Sequence, residues 1–298
     1  MKKIGLTLST LICGLSTVFA QQKLDVEGHR GGMGLMPENT IASMLNGVKT
    51  GVRTLELDLN ITSDGKVVVS HDQWMSSAIM LKPDGSEITP AEEKSMALYK
   101  MTYDSIRRFD AGTKPNVRFP KQARLKTYKP LLSDLIDSVE AYVKKNKLKP
   151  VYYNIETKST PAGDGIYNPA PDVFVKIMMD VINSKHINKR VIIQSFDVRT
   201  LQVLHKTDPK MKLAYLVGKI DVDEDLKKLG FTPDIYSPYY TFVNADIVKK
   251  VHDDKMLILP WTVDEEKDMK ALADLGVDGI ISNYPDKLVQ LFGSYQSK

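Results

Sequence analysis

Short β-branched and aliphatic runs alternate with amphipathic stretches along this chain. The runs Leu24 to Glu27, Thr54 to Leu59, Val151 to Ile155, Val191 to Gln194, Leu213 to Val217, Ile235 to Ser237, Leu257 to Trp261 and Gly279 to Ser282 read as strands. Between them the apolar positions recur at helical spacing, over about 39–50, 131–146, 171–185, 198–206, 222–229, 244–252, 264–274 and 285–292. Eight strands alternating with eight helices predict an α/β fold, a (β/α)8 TIM barrel.

A further β-prone run, Val67 to Ser70, follows the dipeptide Asp64-Gly65. It reads as the returning arm of a hairpin on the second strand and so stays out of the barrel count. Folding about that dipeptide pairs positions that sum to 129, which sets His71 across from Asp58 on one face of the ribbon. Residues 73 to about 130 then break the alternation, with Pro83, Pro90, Pro115 and Pro120 scattered through them. This is an insertion after the strand-two hairpin. It is expected over the barrel mouth, where loops following strand C-termini build active sites. Mobile apolar residues such as Met75, Met80, Met96 and Met101 within it would permit a lipid-accepting mouth without favouring one, and a purely structural cap fits the segment nearly as well.

The chemistry concentrates early. Glu56 and Asp58 stand two apart in Thr54-Leu55-Glu56-Leu57-Asp58-Leu59, so both carboxylates share one face while the leucines take the other. Side-by-side carboxylates repel unless a cation lies between them. His29, Arg30, Glu38, Asn39 and His71 surround this pair in sequence. Asn39 serves equally well as an N-cap for the helical pattern that starts at Thr40.

The ordered series His29-Arg30-Gly31, Pro37 to Thr40, Glu56 to Asp58, Thr62 to Gly65, His71-Asp72, Asn154 to Lys158, Gln194 to Asp197, Trp261 to Val263 and Gly276 to Ile281 resembles the glycerophosphodiester phosphodiesterase family over residues 25 to about 292. The resemblance implies the same barrel, a small-molecule glycerophosphodiester as substrate, and hydrolysis to sn-glycerol 3-phosphate and an alcohol. It implies His29 and His71 as the acid and base, without saying which is which, and attack on phosphorus by the glycerol 2-hydroxyl. Glu56, Asp58 and Glu156 become the metal ligands. An all-oxygen set suits one divalent cation, with Ca2+ preferred and Mg2+ or Mn2+ open. Arg30 and Lys158 would hold the phosphate, although Lys158 is also placed to ion-pair with Glu156. Glu38 would orient Arg30 or reach the metal shell, Asn39 and Gln194 would line the mouth, and Trp261 would wall the glycerol pocket. Two departures from the family pattern, Asn283 where aspartate is common and Lys129-Pro130 before Leu131, are expected to touch neither metal nor histidines.

Lys2-Lys3, an apolar stretch from Ile4 to Phe19 and small residues Val18 and Ala20 read as a secretory signal peptide over residues 1–20, leaving a catalytic domain over 21–298. Export to the periplasm or outside the cell follows, with no stable membrane insertion after cleavage. Cleavage removes Cys13, the only cysteine, and with it any disulfide or thiol chemistry. It also lowers the formal charge from +4 to +2, which is no nucleic-acid-binding balance. Oligomeric state stays open. Rival functions are a glycoside hydrolase, which leaves His29, Arg30 and His71 unexplained, a lysophospholipase D or sphingomyelinase-D-like phosphodiesterase sharing the site, and a non-catalytic phosphodiester-binding module.

Overall fold

Every run of the sequence pattern has become an element in the computed structural model, which describes residues 24–297. The strands are β1 (Asp25–Gly28), β2 (Thr54–Ile61), β3 (Val67–Val69), β4 (Tyr152–Thr157), β5 (Val191–Ser195), β6 (Lys212–Val217), β7 (Ile235–Pro238), β8 (Leu257–Ile258) and β9 (Gly279–Ser282). The helices are α1 (Ile41–Thr50), α2 (Tyr103–Ile106), α3 (Leu132–Lys145), α4 (Pro171–Ser184), α5 (Val198–Thr207), α6 (Val222–Leu229), α7 (Ala245–Asp253), α8 (Glu266–Asp274) and α9 (Pro285–Phe292). The proposed leader, residues 1–20, lies outside the described residues.

Parallel pairing runs β8-β7-β6-β5-β4-β2-β1-β9, with β3 antiparallel on β2. Backbone bonds from Asp278 N to Ile258 O (3.0 Å) and from Ile281 N to Pro260 O (3.1 Å) join the two ends, so the eight-stranded barrel is nearly closed. Outward leucines 55, 57 and 59 of β2 pack with Met44 and Val48 of α1 and Leu135 and Val139 of α3. Each such side chain contributes about 1.5–3 kcal/mol by leaving water. Inside the barrel a smaller apolar plug, Ile192, Ala214, Ile235, Leu259 and Ile281, leaves room for polar side chains on the remaining interior positions.

The hairpin register differs from the expected one. Leu59 pairs with Val69, Asn60 with Val68 and Ile61 with Val67, so paired positions sum to 128. The cause is a three-residue loop: Thr62 N bonds Lys66 O at 3.0 Å, Gly65 N bonds Thr62 O at 3.1 Å, and Gly65 takes the left-handed conformation with φ +69°. Ser70, not His71, therefore stands opposite Asp58, its N donating to Asp58 O at 2.9 Å. His71 follows the strand and reaches the mouth from a loop.

The insertion builds its own core around Val68, with Met75, Met80, Ile88, Leu98 and Ile106 packed together. Met75 and Met80 are wholly buried and Met96 and Met101 pack against their cluster, so these methionines form a core and not the mobile apolar surface that a lipid-accepting mouth would need. The insertion does flank the mouth: Gln73 Nε2 donates to Lys158 O at 2.9 Å and Gln122 Nε2 to Met33 O at 2.6 Å.

Candidate active site

Strand register assembles three carboxylates. In the parallel β2–β4 pair Asp58 stands beside Glu156, with Glu56 two residues earlier on the same face. One oxygen from each of Glu56, Asp58 and Glu156 lies within 4.8 Å of the others, and all three residues are buried. Glu56 accepts from Gln194 Nε2 at 2.9 Å and from the backbone N of Arg30 at 2.8 Å. Asp58 accepts from Asn39 Nδ2 at 2.8 Å, while its Oδ1 is buried without a hydrogen-bond partner among the described residues.

The charges in this nest are out of balance. Burial, reinforced by the charges of Asp58 and Glu156, pushes Glu56 well above the usual carboxylate range. Burial also raises Glu156, against the pull of Lys158. Asp58 goes the other way: burial alone would raise it, but Arg30 and Lys158 hold it below its ordinary value. A buried anion site whose members resist ionising together, with oxygen donors only and one oxygen without a hydrogen bond, fits a hard divalent cation.

The loop after β1 supplies one cation, and the residue after β4 the other. Arg30 adopts a left-handed turn (φ 51°), followed by Gly31 at φ +83°. A Cβ on Gly31 would meet Ser43 Oγ at 2.5 Å, so only glycine lets this turn lie on α1. The turn aims the guanidinium of Arg30 at Glu38 (2.9 Å) and Asp58 (3.3 Å). Thr40, not Asn39, caps α1 by accepting from Ser43 N at 3.1 Å. Asn39, itself left-handed at φ 57°, is thereby free to bond Asp58 through both its amide atoms. Lys158 Nζ lies 2.7 Å from Glu156 and 3.7 Å from Asp58, so the ion pair read as an alternative for Glu156 is present.

The two histidines line one cavity of about 320 Å³, together with Arg30, Glu56, Glu156 and Lys158. Their partners differ. His29 Nδ1 lies 2.6 Å from Asn283 Oδ1, and the amide is oriented by Asn283 Nδ2 donating to Asp264 Oδ2 at 2.7 Å. An amide oxygen only accepts, so Nδ1 carries the proton and Nε2 presents its lone pair to the site. The expectation that Asn283 touches neither histidine is thus overturned: the chain closes its last strand against its first. Burial, and then the charge of Arg30, pull His29 down to about 3, keeping it neutral. His71 Nδ1 instead faces the Asp72 carboxylate at 3.0 Å. Burial opposes ionisation of Asp72, yet its hydrogen bond to His71 holds it below the usual range. Lys129, the other departure, is buried and donates to Ser70 Oγ at 2.6 Å, next to His71 in sequence.

Trp261 lines the same cavity, its indole N–H bonded to Ser237 O at 2.9 Å. Its ring meets those of Phe196 and Tyr239, each at 5.4 Å. Gln194 is buried and faces Glu56 more than the open cavity. Phe196, Tyr239, Asp264, Asn283 and Arg118 were not picked out as cavity residues in the sequence. Phe196 lies inside a motif that was, and Asp264 follows Trp261 by three positions, whereas nothing local marks Tyr239 or Arg118.

Comparison with known proteins gives the family and the fold. The sequence pattern of the Glycerophosphoryl diester phosphodiesterase family matches residues 29–287. A glycerophosphodiester phosphodiesterase of Bacillus altitudinis is 29% identical over 269 residues, covering 88% of this chain and 96% of its own. A solved structure from Silicibacter pomeroyi that carries the family's name superposes with a TM-score of 0.80 at 29% identity, over 91% of this chain and 93% of its own. A phosphodiesterase of Oleispira antarctica, solved with the product sn-glycerol-3-phosphate, shares the fold at TM-score 0.72 and 21% identity, over 91% and 98%.

Proposed function

This chain belongs to the glycerophosphoryl diester phosphodiesterase family, and from that premise we propose that it hydrolyses glycerophosphodiesters to sn-glycerol 3-phosphate and an alcohol, with a divalent cation and two histidines of opposite roles in each step. One observation carries the assignment of roles: His29 is bonded to an amide oxygen and His71 to a carboxylate, on one cavity.

His29 is the base of the first step. Its Nε2 takes the proton of the glycerol 2-hydroxyl as that oxygen attacks phosphorus. His71, its ring oriented by the Asp72 carboxylate at Nδ1, gives a proton to the departing alcohol oxygen as the bond from phosphorus to that oxygen breaks. A five-membered cyclic phosphate results. In the second step the roles reverse: His71, now neutral, takes a proton from water as the water attacks, and His29 returns its proton to the 2-oxygen. Arg30, steered by Glu38, holds a non-bridging oxygen, and Lys158 adds a second positive charge beside it. Glu56, Asp58 and Glu156 would hold the cation, which when bound polarises the phosphoryl group. Phe196, Tyr239 and Trp261 form the apolar wall against which the carbon skeleton lies. The methionines of the insertion, being packed into its core, lend no support to a lipid-accepting mouth.

We read residues 1–20 as a cleaved export signal. Among the described residues no helix is long and apolar enough to cross a membrane. The test is product analysis by phosphorus NMR on glycerophosphocholine, glycerophosphoethanolamine and a lysophospholipid. Release of sn-glycerol 3-phosphate from the first two, with little turnover of the third, is expected. Turnover confined to the lysophospholipid would replace this reading with a lysophospholipase D.

A further inference from the structure

Three permanently cationic side chains line the mouth, and two of them are committed to carboxylates. Arg30 holds Glu38 and Asp58, and Lys158 holds Glu156. Arg118, from the insertion, differs: among the described residues no carboxylate or carbonyl partners its guanidinium, which lies 5.4 Å from the centre of the Phe119 ring. It is exposed, where Arg30 is buried.

The turn that carries it is held firmly. Asn116 Oδ1 accepts from Arg118 N at 3.0 Å, and Phe119 N donates to Asn116 O at 3.1 Å. Phe119 is 6% exposed and packs edge-on against Tyr284 at 6.0 Å, the residue that follows Asn283. Ala123 N donates to Leu35 O at 2.8 Å, tying the same segment to the His29 loop. A full positive charge on a held backbone turn, without a carboxylate partner among the described residues and lining the same cavity as His29 and His71, is placed to meet a negative one.

We propose that Arg118 is a specificity residue that binds a second anionic group on the leaving alcohol, so that phosphate-bearing head groups are preferred over neutral or cationic ones. This rests on the phosphodiesterase reading above. The aromatic rings of Phe196, Tyr239 and Trp261 offer the competing recognition, of a quaternary ammonium, and the experiment separates the two.

The probes are 1,3-bis(sn-3-glycerophospho)glycerol and glycerophosphoglycerol, which differ in one extra anionic phosphodiester, with glycerophosphocholine as the third. Calorimetric titration into H71A, whose turnover is slowed by roughly 10²- to 10⁴-fold, measures binding with little hydrolysis during each injection. Beyond the statistical advantage of its two equivalent ends, the doubly anionic probe should bind about fivefold tighter, the size of a good surface charge pair. That margin should vanish in H71A/R118A, partly return in H71A/R118K, and shrink with added salt. An unchanged ratio in H71A/R118A would overturn the proposal, as would tightest binding of glycerophosphocholine. Failure of the phosphodiesterase reading would show separately, as absent turnover of all three probes by the wild-type protein.

Discussion

Replacing Asn283 by alanine tests how the acid and base are distinguished. The substitution deletes the 2.6 Å bond that fixes the His29 proton on Nδ1 and leaves Asp264 without the 2.7 Å amide donor. Asp264 keeps the backbone N of Asn283 at 3.0 Å, so the loop retains an anchor. A lost neutral hydrogen bond is worth about 0.5–1.5 kcal/mol, or roughly 2- to 12-fold in rate. Release of the tautomer and of the ring orientation adds to that, giving a fall of roughly 10- to 100-fold in kcat with KM little changed. Asn283→Asp should recover to within about tenfold of wild type, because its carboxyl accepts from Nδ1 and can share one proton with Asp264. Steady-state release of sn-glycerol 3-phosphate from glycerophosphocholine is the assay. Wild-type kcat in N283A, or equal damage in both variants, would refute the assignment of His29 as a base held by an amide.

Other outcomes follow from the same geometry. His71→Ala should lose roughly 10²- to 10⁴-fold on glycerophosphocholine but be partly rescued on a p-nitrophenyl phosphodiester, whose leaving group needs no proton; His29→Ala should show no such rescue. His29, lowered from 6.5 to about 3 by burial and then by Arg30, binds no proton in the folded state where the unfolded chain does. Stability of the chelated protein should therefore fall as pH drops from about 6.5 to 5, by about 1–2 kcal/mol more than in His29→Asn, as read from urea melts. Glu27, wholly buried at the barrel floor, is raised well above its ordinary value by desolvation and then by Asp25. Its contribution is present at pH 4 and lost as pH rises, so Glu27→Gln should equal or exceed wild type in stability at pH 8 and gain less at pH 5. Met80→Ala should cost about 2–5 kcal/mol, or abolish cooperative melting of the insertion, because Met80 is core.

The barrel was legible because its signal is local and repeated: each strand and each helix announces itself within ten or so residues. The three carboxylates and two histidines were legible as a set, because Glu56 and Asp58 share a face by strand alternation alone. The hairpin register was not. Asp64-Gly65 serves both two- and three-residue loops, and the choice is settled by the bond between Thr62 and Lys66. Asn39 and Thr40 compete for one cap, and the winner is decided by the left-handed turn that sends Asn39 to Asp58. The partner of His29 lies 254 residues away, brought near only by closure of β9 on β1. Arg118 sits in a segment with neither strand nor helix period to place it. Methionines in an irregular insertion look alike whether they form a core or a mouth, and burial alone separates the two.

In the proposed mechanism Glu56, Asp58 and Glu156 hold one divalent cation, on which both histidines depend for a phosphodiester substrate. The direct measurement removes and restores that cation. Purified protein is stripped with chelator, titrated calorimetrically with Ca2+ and with Mg2+, and assayed on glycerophosphocholine at each point. One binding event per chain is expected, weakened by at least about tenfold in Glu56→Gln, Asp58→Asn and Glu156→Gln, with activity rising in proportion to occupancy. Full activity after stripping, or unchanged affinity in all three variants, would contradict it.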